Sequence, residues 1–202
     1  MRKFTGPRLV LASHNAGKLE EIVQLLGPYR VDVVSAAALG LPEPAETEDS
    51  FAGNARIKAH AAVKASGLPA LADDSGLEID ALGGAPGVYT ADWAETPQGR
   101  DFGMAMHKTR DLLEAKAAPH PRRARFCCTL ALAWPDGKDE VFQGFVSGQI
   151  VWPMRGEQGH GYDPIFQPNG YDVTFGEMDR WEKNRISHRA DAFRNLVEAC
   201  FT

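Results

Sequence analysis

A chain of 202 residues, 44% hydrophobic and 24% charged, has enough apolar material to bury a substantial core in one domain or two apposed lobes. Its formal net charge of −5 excludes a general nucleic-acid binder, which carries a basic field, so an anionic ligand must be met by local cations. No stretch reaches the roughly 18 uninterrupted apolar residues of a membrane span, and Met1-Arg2-Lys3-Phe4 carries no secretory apolar segment, so the cytoplasm is the expected compartment.

In chain order, Leu9-Val10-Leu11-Ala12 reads as a buried strand followed by the small-residue turn Ser13-His14-Asn15-Ala16-Gly17-Lys18. Leu19, Ile22, Val23 and Leu26 then recur at helical spacing until Gly27-Pro28 stops them. Val31 to Val34 is a second strand, and a polar loop runs from Leu41 to Asp49. An alanine-rich helix follows from Ser50 to about Ser66, closed by Gly67 with Pro69 beyond, and its Asn54 and Lys58 share a face. Leu68 to Ala72 reads as a short strand that breaks at Asp73-Asp74 into a glycine-rich loop. Leu77 to Leu82 and a turn at Gly83-Gly84-Ala85-Pro86-Gly87 come next, then a helix over about Gln98 to Ala117 with Phe102, Met106 and Leu113 inward. Phe126 to Trp134 and Glu140 to Val151, joined by Pro135-Asp136-Gly137, predict an antiparallel hairpin. A glycine-rich, aromatic stretch spans Met154 to Phe166, and a last helix starts near Ser187 with Ala190, Phe193 and Val197 inward. Alternating strands and helices favour an α/β fold, here one α/β unit with a lobe that bears the hairpin. Cys127, Cys128 and Cys200 show no metal-type spacing and read as reduced thiols.

Four groups of residues can carry chemistry. Ser13 to Lys18 opens a helix, whose free N–H groups and positive dipole end suit phosphate, although the segment is not a P-loop and also describes a capped helix with a solvated lysine. Glu46 lies in an acidic loop ahead of the Asn54/Lys58 face; Glu46 also reads as part of a solvated loop, and Lys58 as a surface lysine. Asp73-Asp74-Ser75-Gly76 supplies two carboxylates, a hydroxyl and flexible backbone, more than an Asx turn needs and well matched to magnesium, which prefers one or two carboxylates together with substrate phosphates. Gly159-His160-Gly161-Tyr162-Asp163-Pro164, with Lys183 and Ser187-His188-Arg189, joins glycines that admit a planar base to rings and donors that can hold a nucleotide.

Taken jointly and in order, these blocks closely resemble the inosine triphosphate pyrophosphatase family. The resemblance is carried by Ser13 to Lys18, Glu46-Thr47 with Ser50-Phe51, Asn54-Ala55 and Lys58, by Ala72-Asp73-Asp74-Ser75-Gly76-Leu77, and by Ala81 to Tyr89. Gly161 to Phe166, Glu182-Lys183-Asn184 and Ile186-Ser187-His188-Arg189 complete it across nearly the whole chain. It implies an elongated central mixed sheet with flanking helices, two lobes with the active site in the cleft between them, and a single nucleoside-triphosphate pyrophosphatase domain over residues 1–202, usually as a homodimer. The implied reaction is Mg²⁺-dependent hydrolysis of the α–β phosphoanhydride of ITP, dITP and XTP to monophosphate and pyrophosphate, which cleanses the nucleotide pool. By matched position, Asp74 is the general base, Glu46 and Asp74 hold Mg²⁺ with Asp73 in support, and Lys18 and Lys58 are catalytic cations. Ser13, His14, Asn15, Ala16, Gly17, Lys18 and Ser75 line the triphosphate. His160, Gly161, Tyr162, Asp163, Lys183, His188 and Arg189 bind the nucleotide, the last two at the purine 6-oxo edge. The implied partner is a small purine nucleoside triphosphate, with neither nucleic acid nor membrane.

Three departures stand out. His160 replaces a phenylalanine common in the family, Thr90-Ala91-Asp92 exchanges a family cation for an anion, and Glu48-Asp49 replaces a usual glycine. The rival readings are a Maf-like pyrophosphatase of other modified nucleotides, which lacks the Ile186 to Arg189 block, and a nucleotide-binding sensor without turnover, against which Lys18, Lys58, Asp73 and Asp74 argue.

Overall fold

Strand β1 (Arg8–Leu11) carries three consecutive buried residues, Leu9, Val10 and Leu11, because both of its faces are covered. In the computed structural model, residues 2–14 and 16–202 are described, except for the side chains of Ala16, Gly17, Lys18, Glu21 and Gln24. The two-residue period of the strand sends Leu9 and Leu11 to one cluster with Ile22 and Leu26, and Val10 to another with Ala55, Ala59 and Ala62. Those partners come from helix α1 (Ala16–Leu26) and helix α2 (Phe51–Ser66), which therefore cover opposite faces of the strand. Strand β2 (Asp32–Ser35) runs parallel to β1, in register Leu9 with Val33 and Val10 with Val34. Strand β3 (Ala70–Ile79) is parallel to β1 on its other side, pairing Ala70 with Val10.

After β3 the chain makes a small hairpin of β4 (Glu95–Thr96) and β5 (Gly99–Arg100), helix α3 (Phe102–Ala115), and two long strands, β6 (Arg123–Ala133) and β7 (Asp139–Ile150). Strand β8 (Phe166–Pro168) pairs antiparallel with β7, and helices α4 (Arg180–Ile186) and α5 (His188–Cys200) end the chain. The main sheet has the order β2-β1-β3-β6-β7-β8 and is mixed, as expected for this α/β sequence.

Two compact units divide the chain. The first takes residues to Asp74, Cys128–Gln143 and Ala192–Thr202; the second takes Ser75–Cys127 and Gly144–Asp191. The first unit holds both clusters around β1, in which the alanines of α2 meet Ala70, Ala72, Ala131 and Ala133, a small-residue contact that brings helix backbone close to strand. Ser50 caps α2 by accepting the Gly53 N–H at 3.1 Å, and Gly67 closes it at φ +70°. The second unit is built on Leu77, Ile79, Phe126, Phe166 and Phe175, with Tyr162 buried among them.

Several expectations are corrected. The strand before the aspartate pair does not end there: β3 continues through Asp73, Asp74, Ser75 and Gly76 to Ile79, because Leu77 and Ile79 are fully buried core residues beyond the pair. Residues 98–100 belong to a hairpin instead of a helix; Gly99 turns it at φ +116°, and Asp101 starts α3 by accepting the Met104 N–H at 2.9 Å. The final helical region is two helices, with Ser187 ending α4 in extended backbone and its hydroxyl accepting the Ala190 N–H at 3.2 Å in the first turn of α5. The buried face of α5 is Ala192, Phe193, Leu196 and Cys200, with Ala190 and Val197 half-buried. Val23 of α1 is 44% exposed, and Leu25 packs inward instead. The three cysteines are buried and form no disulfide.

Candidate active site

Asp73 and Asp74 are consecutive buried residues of β3, and the charges of both act on Lys58. Asp74 shares the period of Ala70 and Ala72, which pack on α2, and it is from α2 that Lys58 reaches it. The Lys58 ammonium lies 2.5 Å from Glu46 Oε1 and 3.5 Å from Asp74 Oδ1. Asp73, Asp74 and Lys58 are only 6%, 7% and 7% exposed, whereas Glu46 sits on an exposed loop. Asn54, one helical turn before Lys58 and also buried, hydrogen-bonds Asp74 and accepts the Glu48 N–H at 3.0 Å, which ties the acidic loop to α2.

The electrostatics follow from this packing. Burial pushes the Asp74 carboxyl up to about 6, opposed by Lys58 and reinforced by Glu46 and Asp73. For Lys58, burial acts to lower the value, but Asp73, Asp74 and Glu46 outweigh it and hold the ammonium above its ordinary range. Asp74 Oδ2 is buried and has no hydrogen-bond partner among the described residues. A buried acceptor left so is costly, and it is the atom a cation or a water proton would satisfy.

The sequence expectation was a magnesium group of Glu46, Asp73 and Asp74. Among the described residues no three side chains of His, Cys, Asp or Glu close into a metal cage. Glu46 and Asp74 meet through Lys58, and the Asp73 charge acts on both Lys58 and Asp74. The donor set still fits a hard divalent ion, being all carboxylate oxygen with one acceptor unsatisfied.

At the end of β1, His14 Nε2 lies 2.8 Å from the Leu41 carbonyl, and Ser13 is half-buried. His14, Ala12, Leu41 and Lys58 help line a cavity of about 10 Å³, which has room for about one water. Asn15 and the side chains of Ala16, Gly17 and Lys18 lie outside the described residues, and the backbone of α1 starts at Ala16. Ser75 is half-buried on β3.

The nucleotide group of the sequence falls in the second unit. One buried carboxylate oxygen, Asp163 Oδ2, accepts both the His160 N–H at 2.7 Å and the Lys183 ammonium. Lys183 also stands 5.3 Å over the Phe175 ring. The His188 ring stacks on Phe126 at 5.0 Å and 18°, and Arg189 follows it, half-buried. Gly161 turns the chain at φ +65°, and His160 is exposed. Tyr162 is 1% exposed, meets Phe102 edge-on and donates its hydroxyl to the Thr90 carbonyl at 3.0 Å, so its ring is a core element that fixes the loop. Phe126 and Phe175 were not singled out in the sequence. They sit in ordinary apolar runs, and only their contacts with His188 and Lys183 mark them.

The Ham1 family model matches residues 9–199. A dITP/XTP pyrophosphatase of Ruegeria pomeroyi is 68% identical over 200 residues, covering 99% of this chain and 98% of the relative. A dITP/XTP pyrophosphatase of Rhizobium meliloti is 56% identical over 211 residues, covering 99% of each. Among solved structures, a HAM1 protein from Coxiella burnetii superposes with a TM-score of 0.90 at 38% identity, covering 96% of this chain and 98% of that one.

Proposed function

Since the chain belongs to the Ham1 family, we propose that it hydrolyses dITP, ITP and XTP at the α–β phosphoanhydride, removing non-standard purine nucleotides from the pool as a single catalytic domain. The activity borne by its close relatives supports this reading. The observation that carries it is the buried carboxylate pair of β3, with Asp74 Oδ2 unsatisfied beside Lys58 and Glu46. A strand that buries two carboxylates and leaves one oxygen without a donor has given up stability for chemistry.

Asp74 is the general base. In the metal-free protein burial holds its carboxyl at about 6, ionised at neutral pH yet more basic than an ordinary carboxylate, a character that suits proton transfer from water. The water oxygen forms a bond to the α-phosphorus, the bond from that phosphorus to the bridging oxygen breaks, pyrophosphate leaves, and the water proton passes to Asp74. Glu46 and Asp74, supported by Asp73, would hold Mg²⁺. When bound, that ion supplies neutralisation of charge on the phosphate oxygens, usually the largest catalytic contribution in such reactions. Lys58 and Lys18 add to it, and Ser13 to Gly17 with Ser75 line the triphosphate. His160 to Asp163, with Lys183, His188 and Arg189, receive the nucleoside, and His188 and Arg189 donate to the 6-oxo group. An adenine presents an amino donor there, and a buried unpaired donor costs about 1–3 kcal/mol, or roughly 5- to 150-fold rejection. The protein works in the cytoplasm as a homodimer, a state supported by the family resemblance alone.

The test is pyrophosphate release from ITP, dITP, XTP, GTP, ATP and dUTP, with and without Mg²⁺. The expected result is Mg²⁺-dependent turnover of the first three. Equal turnover of ATP and ITP overturns the specificity, preference for modified pyrimidines favours the Maf-like reading, and no turnover of any substrate leaves a nucleotide-binding sensor.

A further inference from the structure

Among the described residues, Lys58 is a buried cation set directly on the carboxylates, with the Asp73 charge acting on it as well. Its neighbours on the packed face of α2 are Ala55, Ala59 and Ala62, which offer no acceptor. Desolvated on that face, it is held by Glu46 Oε1 at 2.5 Å and Asp74 Oδ1 at 3.5 Å. Those are the two groups read above as metal ligands, on which this inference rests. We propose that Lys58 is a resident counter-ion that competes with a divalent cation for Glu46 and Asp74, so that metal binding releases its ammonium toward the phosphates of the substrate.

Like charges make this exchange necessary. An ammonium kept on Glu46 and Asp74 repels a divalent cation bound to the same oxygens, and in a buried setting that repulsion is only weakly screened. The side chain has somewhere to turn, because Lys58 also borders the small cavity lined by Ala12 and His14, at the strand-to-helix turn assigned to the triphosphate. One lysine therefore closes the site without metal and serves substrate with it, and the unsatisfied Asp74 Oδ2 remains the oxygen that the ammonium does not cover.

The experiment measures binding of Mn²⁺ alone, without nucleotide, to the wild-type protein, Lys58→Met and Lys58→Arg. Lys58→Met is expected to bind at least about tenfold tighter, because one buried positive charge a few ångströms from the ion is removed, and Lys58→Arg is expected to stay near wild type. Equal or weaker binding by Lys58→Met overturns the competition while leaving the metal reading intact. Absence of Mn²⁺ binding in all three removes the metal reading and the competition with it. Should Lys58→Met not fold, the wild-type protein decides with lysine labelled at Cε. The Lys58 resonance, assigned by its loss in Lys58→Arg, should move in step with Mg²⁺ saturation, and a resonance that stays fixed while Mg²⁺ binds overturns the proposal.

Discussion

At the scale of single residues, Asp74 is held against its own stability. Its carboxyl stands at about 6 in the folded chain against an ordinary value of 3.8, so between those pH values the folded state binds more protons than the unfolded one. By linkage, this residue's contribution is favourable at low pH and is lost as pH rises through the window, by roughly 3 kcal/mol in the metal-free protein. Asp74→Asn removes that dependence. Metal-free Asp74→Asn is expected to melt higher than wild type at pH 7.5, with the difference shrinking between pH 6 and pH 4, while pyrophosphate release is abolished. A variant less stable than wild type at pH 7.5 contradicts the electrostatic account, and near-normal turnover contradicts the role as base. Asn54 shows the complementary case of a buried polar residue whose partners, Asp74 and the Glu48 N–H, explain its place on an alanine face.

At the scale of elements, the glycine-rich loop is shaped by one carboxylate. Gly159 has φ +77°, and a Cβ placed there would lie 2.1 Å from Asp163 Oδ2, the atom that receives both the His160 N–H and Lys183. Gly159→Ala is therefore expected to displace Asp163, loosening the His160 loop and α4 together. The cost of the strained φ and the broken contact is about 1–3 kcal/mol, which at this chain length corresponds to a melting point lower by roughly 2–12 °C. Under the proposed function, KM for ITP should rise several-fold with a smaller change in kcat; an unchanged melting point and KM would show that Asp163 does not set this loop. The sequence marks this loop by its glycines, yet not the reason for them, since the contact that forbids a side chain comes from a residue four positions on and a lysine twenty beyond that.

At the scale of the whole molecule, each compact unit carries one of the two residue groups: the carboxylates with Lys58 in the first, the Asp163/Lys183 and His188 group in the second. Among the described residues, no helix is long and apolar enough to cross a membrane. Under the proposed function, a divalent ion bound by Glu46 and Asp74 would stabilise the folded chain by mass action. Added Mg²⁺ is expected to raise the melting temperature of the wild-type protein, by about 2.7 kcal/mol equivalent at a hundredfold excess over Kd, and chelation should reverse it. Glu46→Gln and Asp74→Asn should lose most of that rise; an equal rise in both variants would place the ion elsewhere.

What the sequence determined by itself were the features written in local chemistry. The apolar run of β1, the Ser50 cap and Gly67 stop of α2, the Pro135-Asp136-Gly137 hairpin turn and the ordered blocks that carry the family resemblance all depend on near neighbours. Tertiary structure alone decided the rest. It ran β3 straight through the aspartate pair, because burial of Leu77 and Ile79 outweighed the breaking tendency of Gly76. It drew Tyr162 into the core and set Phe126 beneath His188. It also gave Asp74 its partner, because the face a strand residue presents acquires meaning only when a helix packs on it, and the helix that packs beside Asp74 brings Lys58.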